Sequence, residues 1–157
     1  MTMKTHVSYN KYGDNMKIQH FSLGEYQSNC YIVYENDHAF VIDPGYESQE
    51  VIDFIDQHQL KIDMIYITHG HFDHIGGVNQ LKNRYNTVVY APIKDKIWME
   101  KGPYYRFDDD LLVDVWITEQ DKLSFLDYKI SIYETPGHSK GSTVLLINDI
   151  LFSGDTL

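Results

Sequence analysis

Apolar and polar residues alternate over residues 17–23, KIQHFSL, and that period of two predicts a strand. Two further runs, NCYIVYE (29–35) and AFVIDPG (39–45), predict strands joined through Asn36-Asp37, a dipeptide suited to a tight hairpin turn. Pro44-Gly45 ends the second of them. The next segment, ESQEVIDFIDQHQL (47–60), changes period: Val51, Ile52, Ile55 and Leu60 fall near one face of a helix. IDMIYIT (62–68) is a short continuous apolar run, as in a strand buried on both faces. IGGVNQLKNRY (75–85) returns to helical spacing through Ile75, Val78, Leu81 and Tyr85, and TVVYA (87–91) is strand again. Strand, helix, strand, helix, strand from about residue 38 to 91 is an α/β pattern.

Residues 92–120 mix aromatics with acids and carry Gly102-Pro103. They predict a short helix followed by a loop, which is either a lid or pocket wall or a solvated connection with aromatics tucked beneath it. The rest is strand: KLSFL, YKISIYET, STVLLIN and ILFSGD, with Asn148-Asp149 as a second tight hairpin turn. No internal repeat, low-complexity tract or interdomain linker interrupts the chain.

A length of 157 residues with 43% hydrophobic residues suits one domain with a sizeable core. The polar segment 1–15 is expected to be a flexible leader ahead of a domain over 16–157, and it lacks the apolar stretch of a secretory signal. No apolar run is long enough to cross a bilayer, which points to a cytoplasmic protein. A net charge of −10 argues against nucleic-acid and anionic-membrane partners, because both need Lys and Arg. The single cysteine, Cys30, reads as a buried strand residue and permits no intrachain disulfide. His6, His20, His38 and His58 read as surface or satisfied strand histidines, and Asp108-Asp109-Asp110 as a solvated face.

One stretch breaks this ordinary picture. YITHGHFDHIGG (66–77) places His69, His71, Asp73 and His74 within six residues, between a buried strand and an amphipathic helix. His69 and His71 are two apart at a strand end, so their side chains return to the same side and reach one ion. Asp73 and His74, where strand gives way to helix, can face a second. Imidazole suits zinc and iron, and carboxylate adds a hard oxygen ligand.

His69-Gly70-His71-Phe72-Asp73-His74 resembles the H-x-H-x-D-H signature of the metallo-β-lactamase superfamily. Three more elements follow the family's order: VIDPG (41–45) with Asp43, ETPGHSKGS (134–142) with His138, and LFSGDTL (151–157) with Asp155. The resemblance implies an αββα sandwich and two divalent metal ions, zinc first, with iron or manganese also suited. It assigns His69, His71 and His138 to one ion, Asp73, His74 and Asp155 to the other, and makes Asp155 the bridge. The family adds a further histidine to the second ion. The chain stops at Leu157, so it is expected to be C-terminally truncated, to lack the sandwich's last strands and helix, and to hold its second ion weakly.

Within the family, Asp155 argues against secreted β-lactamases, which carry cysteine or serine there, and His71 against di-iron reductases, which carry glutamate. The small bacterial glyoxalase II-like hydrolases are the most similar. That likeness implies hydrolysis of a small thioester or related ester by a metal-activated water, with Asp73 orienting the nucleophile and moving its proton. Asp43 is expected to hydrogen-bond a ligand histidine or shape its loop. Lys140 is a candidate for meeting an anionic substrate group, or a solvated lysine. Two alternatives remain: a mononuclear iron persulfide dioxygenase using His69, His138 and Asp155, and a non-catalytic metal-binding fragment.

Overall fold

The computed structural model describes residues 4–7 and 15–156. Eleven strands form two sheets among the described residues. They are β1 (Lys4–Val7), β2 (Lys17–Leu23), β3 (Ser28–Glu35), β4 (His38–Ile42), β5 (Lys61–Tyr66), β6 (Val88–Pro92), β7 (Val115–Ile117), β8 (Leu123–Phe125), β9 (Tyr128–Glu134), β10 (Thr143–Ile147) and β11 (Ile150–Phe152). Strands β1 to β7 line up in sequence order as one sheet; β11, β10, β9 and β8 form the other. Pairing is antiparallel from β1 through β4 and parallel from β4 through β7. The smaller sheet is antiparallel throughout.

Alternation along the strands builds two cores. In β3 and β4, Cys30, Ile32, Ala39 and Val41 face helices α1 (Gln49–Gln57) and α2 (Val78–Tyr85). Val33, Phe40 and Ile42 face the opposite way, against Phe125, Ile130, Leu145 and Phe152 of the smaller sheet. Helices, large sheet and small sheet thus stack as three layers of an α/β sandwich. A helical layer outside the small sheet is not among the described residues, and Tyr133 and Leu151 on that sheet are exposed.

The punctuation seen in the sequence acts as expected. Asn36 and Asn148 take positive φ in the two hairpins. The Ser48 hydroxyl accepts from the amide of Val51 to cap α1. Asn86 closes α2 in the left-handed region.

Three expectations are corrected. Lys4–Val7, placed in a flexible leader, pairs antiparallel with β2, whose free edge offers it a ladder of hydrogen bonds; the other leader residues before Asn15 lie outside the described set. The segment 92–120 is not only helix and loop. After a 3-10 turn and a four-residue helix α3 (Lys96–Met99), it returns to the large sheet as β7. Third, α2 begins at Val78, so Ile75 lies before it, at the end of a one-turn 3-10 helix (Phe72–His74), and is buried all the same.

Parallel pairing positions the chemistry. The carboxyl ends of β4, β5 and β6 open on one side of the sheet, the usual location of α/β sites. They deliver Asp43, the His69–His74 loop and Asp95. The β9–β10 connection brings His138 and the chain after β11 brings Asp155. Thr143 locks the two sheets together there: its amide and hydroxyl donate to the Thr68 carbonyl (2.9 and 2.8 Å), and its hydroxyl accepts from Tyr66 (2.8 Å). Burial pushes the Tyr66 hydroxyl well above its ordinary pKa, keeping it a neutral donor.

Candidate metal centre

The four ligand-type residues of the loop converge with His138 and Asp155 although 64 to 86 residues separate them from those two in sequence. His71 Nδ1 lies 3.0 Å from His138 Nε2. His138 Nε2 is 3.2 Å from Asp155 Oδ2, and His69 Nε2 is 3.6 Å from the same oxygen. His69 is buried, and its Nε2 has no hydrogen-bond partner. A buried, unpaired nitrogen facing two imidazoles and a carboxylate is costly unless something else satisfies it. A tetrahedral zinc with bonds near 2.1 Å sets its ligands about 3.4 Å apart, close to the 3.0–3.6 Å spacing these atoms already have. The donor set therefore fits a divalent ion.

A second set adjoins the first. Asp73 Oδ2 is 3.6 Å and Asp155 Oδ2 3.1 Å from His74 Nε2. Asp155 Oδ2 therefore faces both sets. His69, together with the charges of His74 and His138, holds the Asp155 carboxyl well below the usual carboxylate range despite partial burial.

The ring nitrogens turned away from the centre are also occupied, which fixes the tautomers. Asp43, wholly buried, accepts at Oδ2 from His74 Nδ1 (2.9 Å) and from the Thr68 hydroxyl (2.6 Å), and at Oδ1 from the Thr68 amide (2.7 Å). The Thr68 oxygen is left to accept from His69 Nδ1 (2.9 Å). In their neutral forms His69 and His74 thus both present a bare Nε2 to the centre, and His74 reaches that form when the proton it shares with Asp155 is displaced. Burial opposes charge on the His74 imidazole, but the carboxylates of Asp43, Asp155 and Asp73 outweigh it and raise its pKa to about 9. At His71, burial and the neighbouring histidines act in the opposite direction and lower it.

Two supporting residues had no mark in the sequence. The Ser28 hydroxyl donates to Asp73 Oδ2 (2.8 Å), steadying that carboxylate from β3. Asp95 is fully buried and accepts three hydrogen bonds: from the Gly70 amide (2.8 Å), the Ser139 hydroxyl (2.6 Å) and the Gly141 amide (2.6 Å). It joins the loop of His69 and His71 to the loop of His138. Its position just past β6, in line with Asp43 past β4 and His69 past β5, is the signal that could have singled it out. The approach is close enough that a Cβ on Gly141 would collide with the Asp95 backbone and carboxylate.

A cleft of about 450 Å3 opens over the centre, lined on the metal side by His71, Asp73, His138 and Asp155. Lys140 is exposed and is not among its lining residues. Arg106 and four aromatics are.

The model of the metallo-beta-lactamase superfamily matches residues 23–157. The chain belongs to this superfamily. Among curated metallo-beta-lactamase superfamily relatives, hydroxyacylglutathione hydrolase 1 of Vibrio vulnificus is 35% identical over 128 residues, 81% of this chain and 46% of that protein. Hydroxyacylglutathione hydrolase GloC of Haemophilus influenzae is 30% identical, over 90% of this chain and 72% of that protein. The solved structure of BLEG-1, a B3 metallo-beta-lactamase, superposes with a TM-score of 0.78 at 31% identity, covering 89% of this chain and 72% of that one. This chain spans about half the length of most of the hydroxyacylglutathione hydrolases it matches. Membership implies a divalent metal, usually zinc, in agreement with the donor sets described above. No helix among the described residues is long and apolar enough to cross a membrane.

Proposed function

We propose that the full-length protein is a two-zinc hydrolase that cleaves a small thioester of the hydroxyacylglutathione type. The observation that carries the reading is the single oxygen, Asp155 Oδ2, facing one set with His69 and His138 and a second with His74 and Asp73. The relatives' names supply the substrate class.

His69, His71 and His138 would hold one ion and Asp73 and His74 the other, with Asp155 between them. Bound there, the ions supply Lewis acidity at the thioester carbonyl and lower the pKa of a water to near neutrality. Asp73, steadied by Ser28, orients that water and takes up its proton. The water oxygen adds to the carbonyl carbon, the carbon–sulfur bond breaks, and the proton passes to the departing sulfur, giving an acid and a thiol. Asp43 keeps His74 in the tautomer that leaves Nε2 bare.

The test is hydrolysis of S-lactoylglutathione by the full-length zinc-loaded protein, with elemental analysis alongside. Activity that His69→Ala abolishes, with two zinc ions per chain, is the expected result. Inactivity on every thioester and ester, together with turnover of a chromogenic cephalosporin, would overturn the reading in favour of the β-lactamase activity in the name of the structural relative. Tightly bound iron with oxygen uptake and sulfite formation would favour the dioxygenase.

A further inference from the structure

Arg106 is the one Lys or Arg lining the cleft over the centre, and, like Lys17, Lys61, Lys122, Lys129 and Lys140, it has no carboxylate within 4.0 Å among the described residues. Lys82, Arg84, Lys94, Lys96 and Lys101 each have a carboxylate within 4.0 Å. Arg106 has none among the described residues, although Asp108-Asp109-Asp110 follow it directly; Lys101 takes Asp110. Its guanidinium instead lies 4.4 Å over the ring of Phe72, which sits between the ligand residues His71 and Asp73. A guanidinium held against a ring keeps its five N–H groups directed outward in its own plane, the arrangement that grips a carboxylate with two parallel hydrogen bonds.

The surroundings define a ligand shape. Tyr26 packs edge-on to Phe72 at 5.2 Å, and Trp98 packs against Tyr104 at 4.7 Å and against the His71 ring at 4.9 Å. These four aromatics and Arg106 line the same cleft as the metal-side residues. The reacting centre therefore opens onto an aromatic trough with one unpaired cation. Arg106 stacks on Phe72 and contacts none of the ligand side chains within 4.0 Å among the described residues, so an anion bound there suits a part of the substrate other than its reacting carbon. In a protein of net charge −10, an anionic substrate is repelled by the surface at large and needs such a local anchor.

We propose that Arg106 is the specificity residue of the cleft: it binds a carboxylate on the thiol portion of the thioester, while the stem of that thiol lies along Phe72, Tyr26, Trp98 and Tyr104. The proposal rests on the hydrolase reading, and the experiment separates the two. Full-length zinc-loaded protein is assayed on an acyl thioester of a mercapto-acid and on its neutral carboxamide counterpart. The acid is preferred in kcat/KM by at least about tenfold, the worth of one charge-assisted pair. Arg106→Gln raises KM for the acid by about that factor with kcat little changed, so the preference collapses. Arg106→Lys, a point charge without the fork, recovers only part of it. Arg106→Glu shifts preference to an amine-bearing thioester. Calorimetry with the unreactive thioether of the same mercapto-acid and its carboxamide gives a second readout that needs no turnover. The acid binds more tightly to the wild type and loses that advantage in Arg106→Gln. Equal binding of acid and amide by the wild type, or a preference that survives Arg106→Gln, overturns the proposal and leaves the hydrolase reading intact. No turnover of any thioester with the binding preference preserved defeats the hydrolase reading while keeping Arg106 as the anion anchor.

Discussion

Asp95 offers the sharpest test of how the centre is held together. Replacing it by asparagine keeps the shape and removes the charge. The Asp95 Oδ2 oxygen takes two donors, the Gly70 amide and the Ser139 hydroxyl, and Oδ1 takes one, the Gly141 amide. The better orientation of the new amide puts its oxygen at the Oδ2 position and its nitrogen against the Gly141 amide, leaving a buried donor unsatisfied at about 1–3 kcal/mol. The two surviving bonds lose their charge assistance, about 1 kcal/mol more in each case. The sum, about 3–5 kcal/mol, is expected as a drop in the urea unfolding free energy of the metal-free protein. Because the broken bond ties the loop of His138 to Asp95, which also holds the loop of His69 and His71, zinc affinity falls as well, by about 10–100-fold, as for other residues that orient metal ligands. A chromogenic chelator measures that loss on the folded fraction. Asp95→Asn with metal-free stability and zinc affinity both unchanged would refute the argument. A stability loss with intact affinity would show that Asp95 holds the fold but not the ligand geometry.

The raised pKa of His74 makes a pH prediction. The group titrates near 9 when folded, against about 6.5 when unfolded, so its contribution is complete below 6.5 and lost as pH climbs through 9. The metal-free protein should lose about 3 kcal/mol over that window, and the loss should be much smaller in His74→Gln; equal losses in the two would exclude His74 as the source. The loop joining β4 to α1 packs backbone to backbone on the ligand loop: the Gly76 amide donates to the Gly45 carbonyl (2.9 Å) and the Gly77 amide to the Pro44 carbonyl (2.7 Å). A Cβ at Gly45 would strike the Asp73 carbonyl, so Gly45→Ala should lower the melting temperature and weaken zinc binding together. A variant with the wild-type melting temperature would mean that the ligand loop is freer than its packing implies.

What the sequence made legible, and what it hid, divides along a physical line. Strands β2 to β6 could be read because each carries its own pattern and its own stop: alternation in KIQHFSL, a left-handed Asn36 between β3 and β4, Pro44-Gly45 after β4. Strand β7 has three residues, of which Val115 is exposed and Trp116 half-buried, so no periodicity could announce it. Tertiary contacts make it a strand. It pairs with β6, and the Asp114 carboxylate before it accepts from the Val89 amide (2.8 Å) and Lys82 (2.7 Å), which also lowers the pKa of that carboxyl against partial burial.

The same line runs through the centre. His69, His71, Asp73 and His74 stand out because metal chemistry needs rare residue types at short spacing, and that spacing is local. Asp95 lies between two lysines in a polar stretch and looks like a surface acid, yet it is more buried than any ligand. Its three partners are 25, 44 and 46 residues away, so its place just past β6 was the one local sign of it. Arg106 beside a run of aspartates suggests an ordinary ion pair, and only the structure shows the guanidinium stacked on Phe72 instead. Residues that give electron pairs to a metal are recognisable by type. Residues that hold those donors in place, or choose what reaches them, are ordinary side chains in unusual places. Substitutions at Asp95 and Arg106 are therefore where stability, metal affinity and substrate choice should come apart, whereas substitutions at the histidines should abolish all metal-dependent behaviour at once.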